Sequence, residues 1–129
     1  MKDCLFCKII NGEIPSKKIF EDEKVVVIMD VNPAVDGHLL VIPKKHVTDF
    51  TELSDDLLIH INKVAKEISQ DVMKKLNAKA LSFCVNYGES QIIKHFHLHV
   101  LPNYHKKAKS LSIDEVYEII KKEDFESSK

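Results

Sequence analysis

The chain has 129 residues, 44% of them hydrophobic and 30% charged, with a formal net charge of −1. This is the size and composition of one folded globular domain, and it argues against a disordered segment. It offers no broad basic field for a nucleic acid polymer, and its apolar runs fall short of the ~18 residues a membrane helix needs.

All nineteen basic residues are lysine. A phosphate would therefore have to be met by backbone N–H groups, imidazoles, hydroxyls or lysine, without the guanidinium fork. The opening residues are broken by Asp3 and Lys8 and do not read as a signal peptide. Three cysteines in such a chain suggest no disulfide framework, and a reduced, cytoplasmic setting is expected.

In chain order, Leu5, Phe6, Ile9 and Ile10 fall at helical spacing, so residues 4–11 predict a short helix ended by Asn11-Gly12. Lys18–Glu21 and Lys24–Met29 read as strands around an acidic turn, a loop follows over residues 31–37, and His38–Pro43 is a third strand. The clearest helix runs from about Ser54 to Leu76, with Ser54 as N-cap, apolar residues at three- and four-residue steps, and Asn77 to end it. Ala80–Tyr87 and His95–Leu101 read as two further strands around a loop at 88–94. Ser112-Ile113-Asp114-Glu115 is a capping box opening a helix through Ile120, and residues 123–129 read as a frayed tail. The connections are mostly too short for parallel crossovers. The expected fold is α+β: a mainly antiparallel sheet of about five strands with one long helix and short terminal helices. Residues 1–129 read as a single domain, with a C-terminal extension from about residue 105.

The most informative stretch is His95-Phe96-His97-Leu98-His99-Val100-Leu101. Strand alternation would place His95, His97 and His99 on one face and Phe96, Leu98 and Val100 on the other, under the long helix. Three readings are open: a solvated histidine face, a metal site built from all three, or chemistry by neutral imidazole as nucleophile or general base. A straight row with neighbours roughly 6.6–7 Å apart does not close easily on one ion, so separate jobs are favoured.

These residues resemble the His-φ-His-φ-His-φ-φ motif of the histidine triad nucleotide-binding proteins. Residues 4–15 are similar to the N-terminus of bacterial-type members, and residues 37–46 to the family's second signature; only the chain after about Tyr104 lacks a clear counterpart. The resemblance implies a nucleotidyl hydrolase or transferase acting at the α-phosphorus of a purine nucleoside 5'-phosphate derivative, an AMP-type phosphoramidate or a dinucleoside polyphosphate. His97 would form a nucleotidyl-phosphohistidine. His99 would contact the phosphate and orient His97 through its backbone carbonyl, and His38 would support the network. Asp30 corresponds to an acid that holds the ribose hydroxyls, although a turn-capping Asp before Pro33 would look the same. Phe6, Ile9, Ile28 and Val31 would wall the base, while Asn86 and Gln91 match polar contacts of the site. Where the family usually has a polar residue, Ile92 stands here and takes one side-chain donor away. A loss of that kind costs ~10²–10³ in rate at most.

The Cys4-x-x-Cys7 spacing can place two thiolates on one zinc ion, with His46 and His95 as candidates for the other two ligands. The pair alone also fits two buried thiols on a helix face, but cysteine-containing members of the family look like the zinc set. Cys84 reads as core, and His60 and His105 as solvated. The family resemblance also implies a homodimer with the sheet continued across two chains. Two alternatives are kept: a nucleotide-binding regulatory module with little turnover, and a zinc-stabilised interaction protein without a nucleotide site.

Overall fold

The structure, a computed structural model, describes residues 3–104 and 111–121. His105 and the expected frayed tail lie outside these residues. The elements run α1 Leu5–Ile10, β1 Lys18–Glu21, β2 Val25–Met29, β3 Leu39–Pro43, α2 Asp55–Leu76, β4 Ala80–Cys84, β5 Leu98–Asn103 and α3 Ile113–Ile120. One five-stranded sheet has the order β1-β2-β3-β5-β4, and every neighbouring pair is antiparallel. This is the expected α+β architecture. No helix among the described residues is long and apolar enough to cross a membrane.

The two central strands are buried on both faces, and their alternate residues go to opposite layers. Val25, Val27, Met29, Leu39 and Val41 pack against Ile61, Val64, Ala65, Ile68 and Val72 of α2. Val26, Ile28, Leu40 and Ile42 pack on the other face against Phe6 and Ile9 of α1. Helix α2 is placed by its ends. Ser54 Oγ accepts from Leu57 N at 3.2 Å, and Asn77 terminates it in the left-handed region at φ 55°. Helix α3 has the expected capping box, and Val116 and Ile120 enter the same core as α2.

Two expected boundaries are corrected. Strand β4 stops at Cys84 instead of Tyr87, and β5 begins at Leu98 instead of His95. Phe96 N donates to Val47 O at 2.7 Å, outside the ladder, so residues 95–97 lead into β5 as irregular backbone. The alternation nonetheless carries through, with Phe96, Leu98 and Val100 in the core beneath α2. Cys84 is also not core. It lies on the edge strand, half-buried, between exposed Phe83 and Val85. His60 is held instead of free, its Nε2 2.7 Å from an Asp22 carboxylate oxygen, which ties α2 to the β1–β2 turn.

The turn before β3 needs glycine. Gly37 has φ +84°, and a Cβ there would lie 2.6 Å from Leu76 Cδ1 and 3.3 Å from Pro102 Cγ. Gly37→Ala is expected to destabilise the fold by about 1–3 kcal/mol, read as a lower melting temperature, because strain and overpacking act together.

Candidate active site and metal centre

Helix α1 covers only part of its face of the sheet. A cavity of about 460 Å³ lies along it, lined by Phe6, Ile9, Ile28, Asn86, His97 and His99. Asp30 and Val31, from the end of β2, also line it, with Ile92 contributed by the loop before the histidines. Leu5, Ile14, Pro15, Ser16, Leu40, Ser90 and Ile93 join the lining, and none of these was singled out from the sequence. For Leu40 the signal was available, since alternation with Ile42 puts it on this face.

Gln91 is corrected. It is buried, and its side-chain amide donates to Thr48 O at 2.6 Å and Ile93 O at 3.0 Å, so it fastens the loop and does not line the cavity. Val31 and Ile92 lie at the rim, 73% and 85% exposed.

His97 is packed edge-on against Phe6, with ring centroids 4.9 Å apart. Its Nδ1 lies 2.8 Å from the backbone carbonyl of His95. A carbonyl only accepts, so Nδ1 carries the proton and Nε2 keeps its lone pair. The orienting carbonyl thus belongs to His95, two residues before His97, and not to His99. The irregular backbone at 95–97 folds it back onto the ring.

Behind His97, a backbone amide sets another tautomer. Ala34 N donates to His38 Nδ1 at 3.0 Å, which leaves the His38 hydrogen on Nε2. That nitrogen faces His99 Nδ1 at 2.9 Å and Asp30 Oδ2 at 3.3 Å. His99 must then accept at Nδ1 and carry its own hydrogen at Nε2. The Asn86 amide nitrogen placed 3.4 Å from it can only donate, so this tautomer requires the Asn86 amide turned to present its oxygen. Asp30, His38 and His99 bring their ligand atoms within 4.8 Å of one another, as a metal site would. With Nε2 of His38 protonated, however, it has no lone pair for an ion, and the trio is a hydrogen-bonded group.

Burial lowers the pKa values of His38, His95 and His97 below 6.5, and burial together with His97 and His38 pushes His99 down to about 4. The folded state thus binds these protons more weakly than the unfolded chain. Stability is fully present above 6.5 and is lost as pH falls from 6.5 toward 4. Melting temperature measured across that range should decline steadily toward acid and level off above it.

At the far end of the row, Cys4, Cys7, His46 and His95 gather their ligand atoms within 4.8 Å. Both cysteine Sγ atoms approach His95 Nδ1, at 3.3 and 3.5 Å, and Cys7 Sγ lies 3.3 Å from His46 Nδ1. A tetrahedral zinc with bonds of ~2.0–2.3 Å has ligand-to-ligand edges only a little longer than these distances. His95 Nε2 donates to Pro43 O at 2.8 Å, so the Nδ1 lone pair points at the thiols. The donor chemistry fits zinc. Burial and the adjacent Cys4 push the Cys7 thiol up to about 11, so the thiolate would form only with a cation beside it.

Residues 11–106 match the HIT domain family model. The chain belongs to the HIT family. It is 41% identical over 128 residues to an uncharacterised HIT-like protein of Methanocaldococcus jannaschii, covering 92% of this chain and 98% of that one. A zinc-bound histidine triad family protein from Mycobacterium smegmatis superposes with a TM-score of 0.85 at 29% identity, covering 92% of this chain and 91% of that chain. A HIT family hydrolase from Legionella pneumophila gives 0.71 at 35% identity, with 81% and 96% covered.

Proposed function

We propose that the protein hydrolyses or transfers a nucleotidyl group at the α-phosphorus of a purine nucleoside 5'-phosphate derivative, an AMP-type phosphoramidate or a dinucleoside polyphosphate. The observation that carries this is the His95 carbonyl at 2.8 Å from His97 Nδ1, which leaves Nε2 of a cavity-lining imidazole as a lone pair. His97 Nε2 attacks phosphorus, the bond to the leaving group breaks, and the His95 carbonyl stabilises the charge that appears on the ring. Water then attacks the phosphohistidine, releasing the nucleoside monophosphate and restoring the imidazole.

The remaining roles follow from position. Asp30 accepts from the ribose hydroxyls, Phe6, Ile9, Ile28 and Val31 flank the base, and the neutral His99 Nε2–H and Asn86 meet the phosphate in place of an arginine. Zinc on Cys4, Cys7, His46 and His95 would fix α1 and the segment before His97 relative to each other, outside the chemistry. Incubating the protein with an AMP amide and resolving the products by chromatography tests the reading: AMP should accumulate in the native protein and not in a His97 variant. Ile92, 85% exposed at the rim without a side-chain donor, favours a second reading, a nucleotide-binding module with little turnover. In that case AMP would raise the melting temperature without being produced from the amide.

The same reading includes a homodimer and a cytoplasmic setting. Strand β4 is a sheet edge whose backbone has one paired side, and Phe83, Val85 and Tyr87 are 43%, 41% and 56% exposed along it and beyond its end. An apolar edge of this kind is suited to pairing with a second copy. Gel filtration should give the dimer mass, and Phe83→Lys should shift it to the monomer.

A further inference from the structure

We propose that Asp30 couples ribose recognition to the phosphate-facing side of the site, by competing with His99 for one hydrogen of His38. This deepens the proposed function and rests on its placement of the ribose at Asp30. The competition follows from three contacts. The Ala34 amide holds the His38 hydrogen on Nε2, and that hydrogen has two acceptors in reach, His99 Nδ1 at 2.9 Å and Asp30 Oδ2 at 3.3 Å. One N–H cannot serve both well. Asp30 is also held rigidly opposite His38, because its backbone N donates to His38 O at 3.1 Å and its Oδ1 accepts from Asn32 N at 2.9 Å. Asn32 takes one acceptor site of Oδ1, so ribose hydroxyls meet the remaining sites of the carboxylate, including those of Oδ2 beside His38.

Without a donor from a ligand, the Asp30 carboxylate oxygen at 3.3 Å competes for the hydrogen that His38 gives to His99 at 2.9 Å. Ribose hydroxyls donating to that carboxylate satisfy it, and the hydrogen is left to His99 Nδ1. A hydrogen bond fully made at Nδ1 holds the His99 ring in register and keeps its hydrogen at Nε2, aimed at the phosphate. No proton changes atoms, and only the acceptor of one N–H changes. Asp30 thereby acts as a positioning residue as well as a ribose ligand. The site becomes selective for ribonucleotides at the catalytic step, beyond the affinity that the hydroxyls add.

The test compares kcat and KM for an AMP amide and its 2',3'-dideoxy analogue. In the native protein the dideoxy substrate should lose roughly tenfold in kcat in addition to its loss in KM, about 1.4 kcal/mol of transition-state stabilisation. Asp30→Ala removes the competing acceptor, so the two substrates should converge on one kcat, with the dideoxy substrate turning over faster than in the native protein. Asp30→Asn keeps an acceptor for the Asn32 amide and gives His38 no lone pair. It should behave alike, which guards against a failure of Asp30→Ala to fold. A dideoxy effect confined to KM, or Asp30 variants that slow both substrates equally, overturns the coupling.

Nitrogen NMR of histidine-labelled protein reads the same event without turnover. Saturating AMP should move His99 Nδ1 toward its hydrogen-bonded position, and dideoxy-AMP should not. Absence of turnover with the NMR response present would defeat the hydrolase reading and leave the coupling standing. Equal responses to both nucleotides, or none to either, would defeat the coupling.

Discussion

Replacing His97 with asparagine is expected to lower turnover of an AMP amide by on the order of 10⁴-fold or more. The melting temperature should stay close to that of the native protein. The size of the effect follows from the division of labour in the site. In the proposed site, His99 and Asn86 can still bind and polarise the phosphate, but neither offers a lone pair fixed toward the cavity by a carbonyl at 2.8 Å on the opposite ring nitrogen. The fold should tolerate the change because His97 makes one backbone hydrogen bond and two edge-on ring contacts, with Phe6 and His99, while the core face of the same segment is held by Phe96, Leu98 and Val100. The prediction is checked by pre-steady-state release of AMP alongside a thermal melt. Residual activity above a hundredth of the native rate would remove His97 from the nucleophile's position.

Removing the proposed zinc ligands should act in the opposite way, on stability more than on chemistry. Cys4→Ser with Cys7→Ser is expected to abolish a stoichiometric zinc content, measured by elemental analysis. It should cost about 2–3 kcal/mol, roughly 6–15 °C in melting temperature. The cost is far below that of a zinc finger, because the sheet has its own core on the α2 face. It is not small, because α1 is only six residues long and packs chiefly through Phe6 and Ile9. Its N-cap is Cys4 itself, whose Sγ accepts from Cys7 N at 3.3 Å. Without a cation, two thiols and two imidazoles must share the space at the helix start. A chelator should produce the same drop in the native protein and none in the double variant.

Much of this molecule could be read from periodicity and capping. Val25–Met29 and Leu39–Pro43 are so uniformly apolar that only central strands accommodate them, and Ser54 and Asn77 mark the ends of α2. The strand limits at Cys84 and Leu98 were not legible, because they depend on which residues oppose one another in the folded ladder. Val100 sits between Leu39 and Phe83, and His99 between Leu40 and Cys84. Upstream of Leu98 no ladder pair continues on either side and Phe96 N turns to Val47 O instead, so the alternating pattern continues without a strand. The histidine row was legible as a face. The opposed tautomers of His97 and His99 were not, since they are set by the carbonyl of His95 and the amide of Ala34. Gln91 was misplaced for a related reason: a polar residue near the nucleophile looks like a ligand contact until Thr48 is seen to take its amide.

The most direct measurement is the mass of the chain quenched in alkali during turnover of an AMP amide, followed by mapping of the modified peptide. The addition of one nucleotidyl group on the imidazole of His97, formed before the second product appears and absent from His97→Asn, is the expected result. Steady production of AMP with no adduct on any histidine would contradict it.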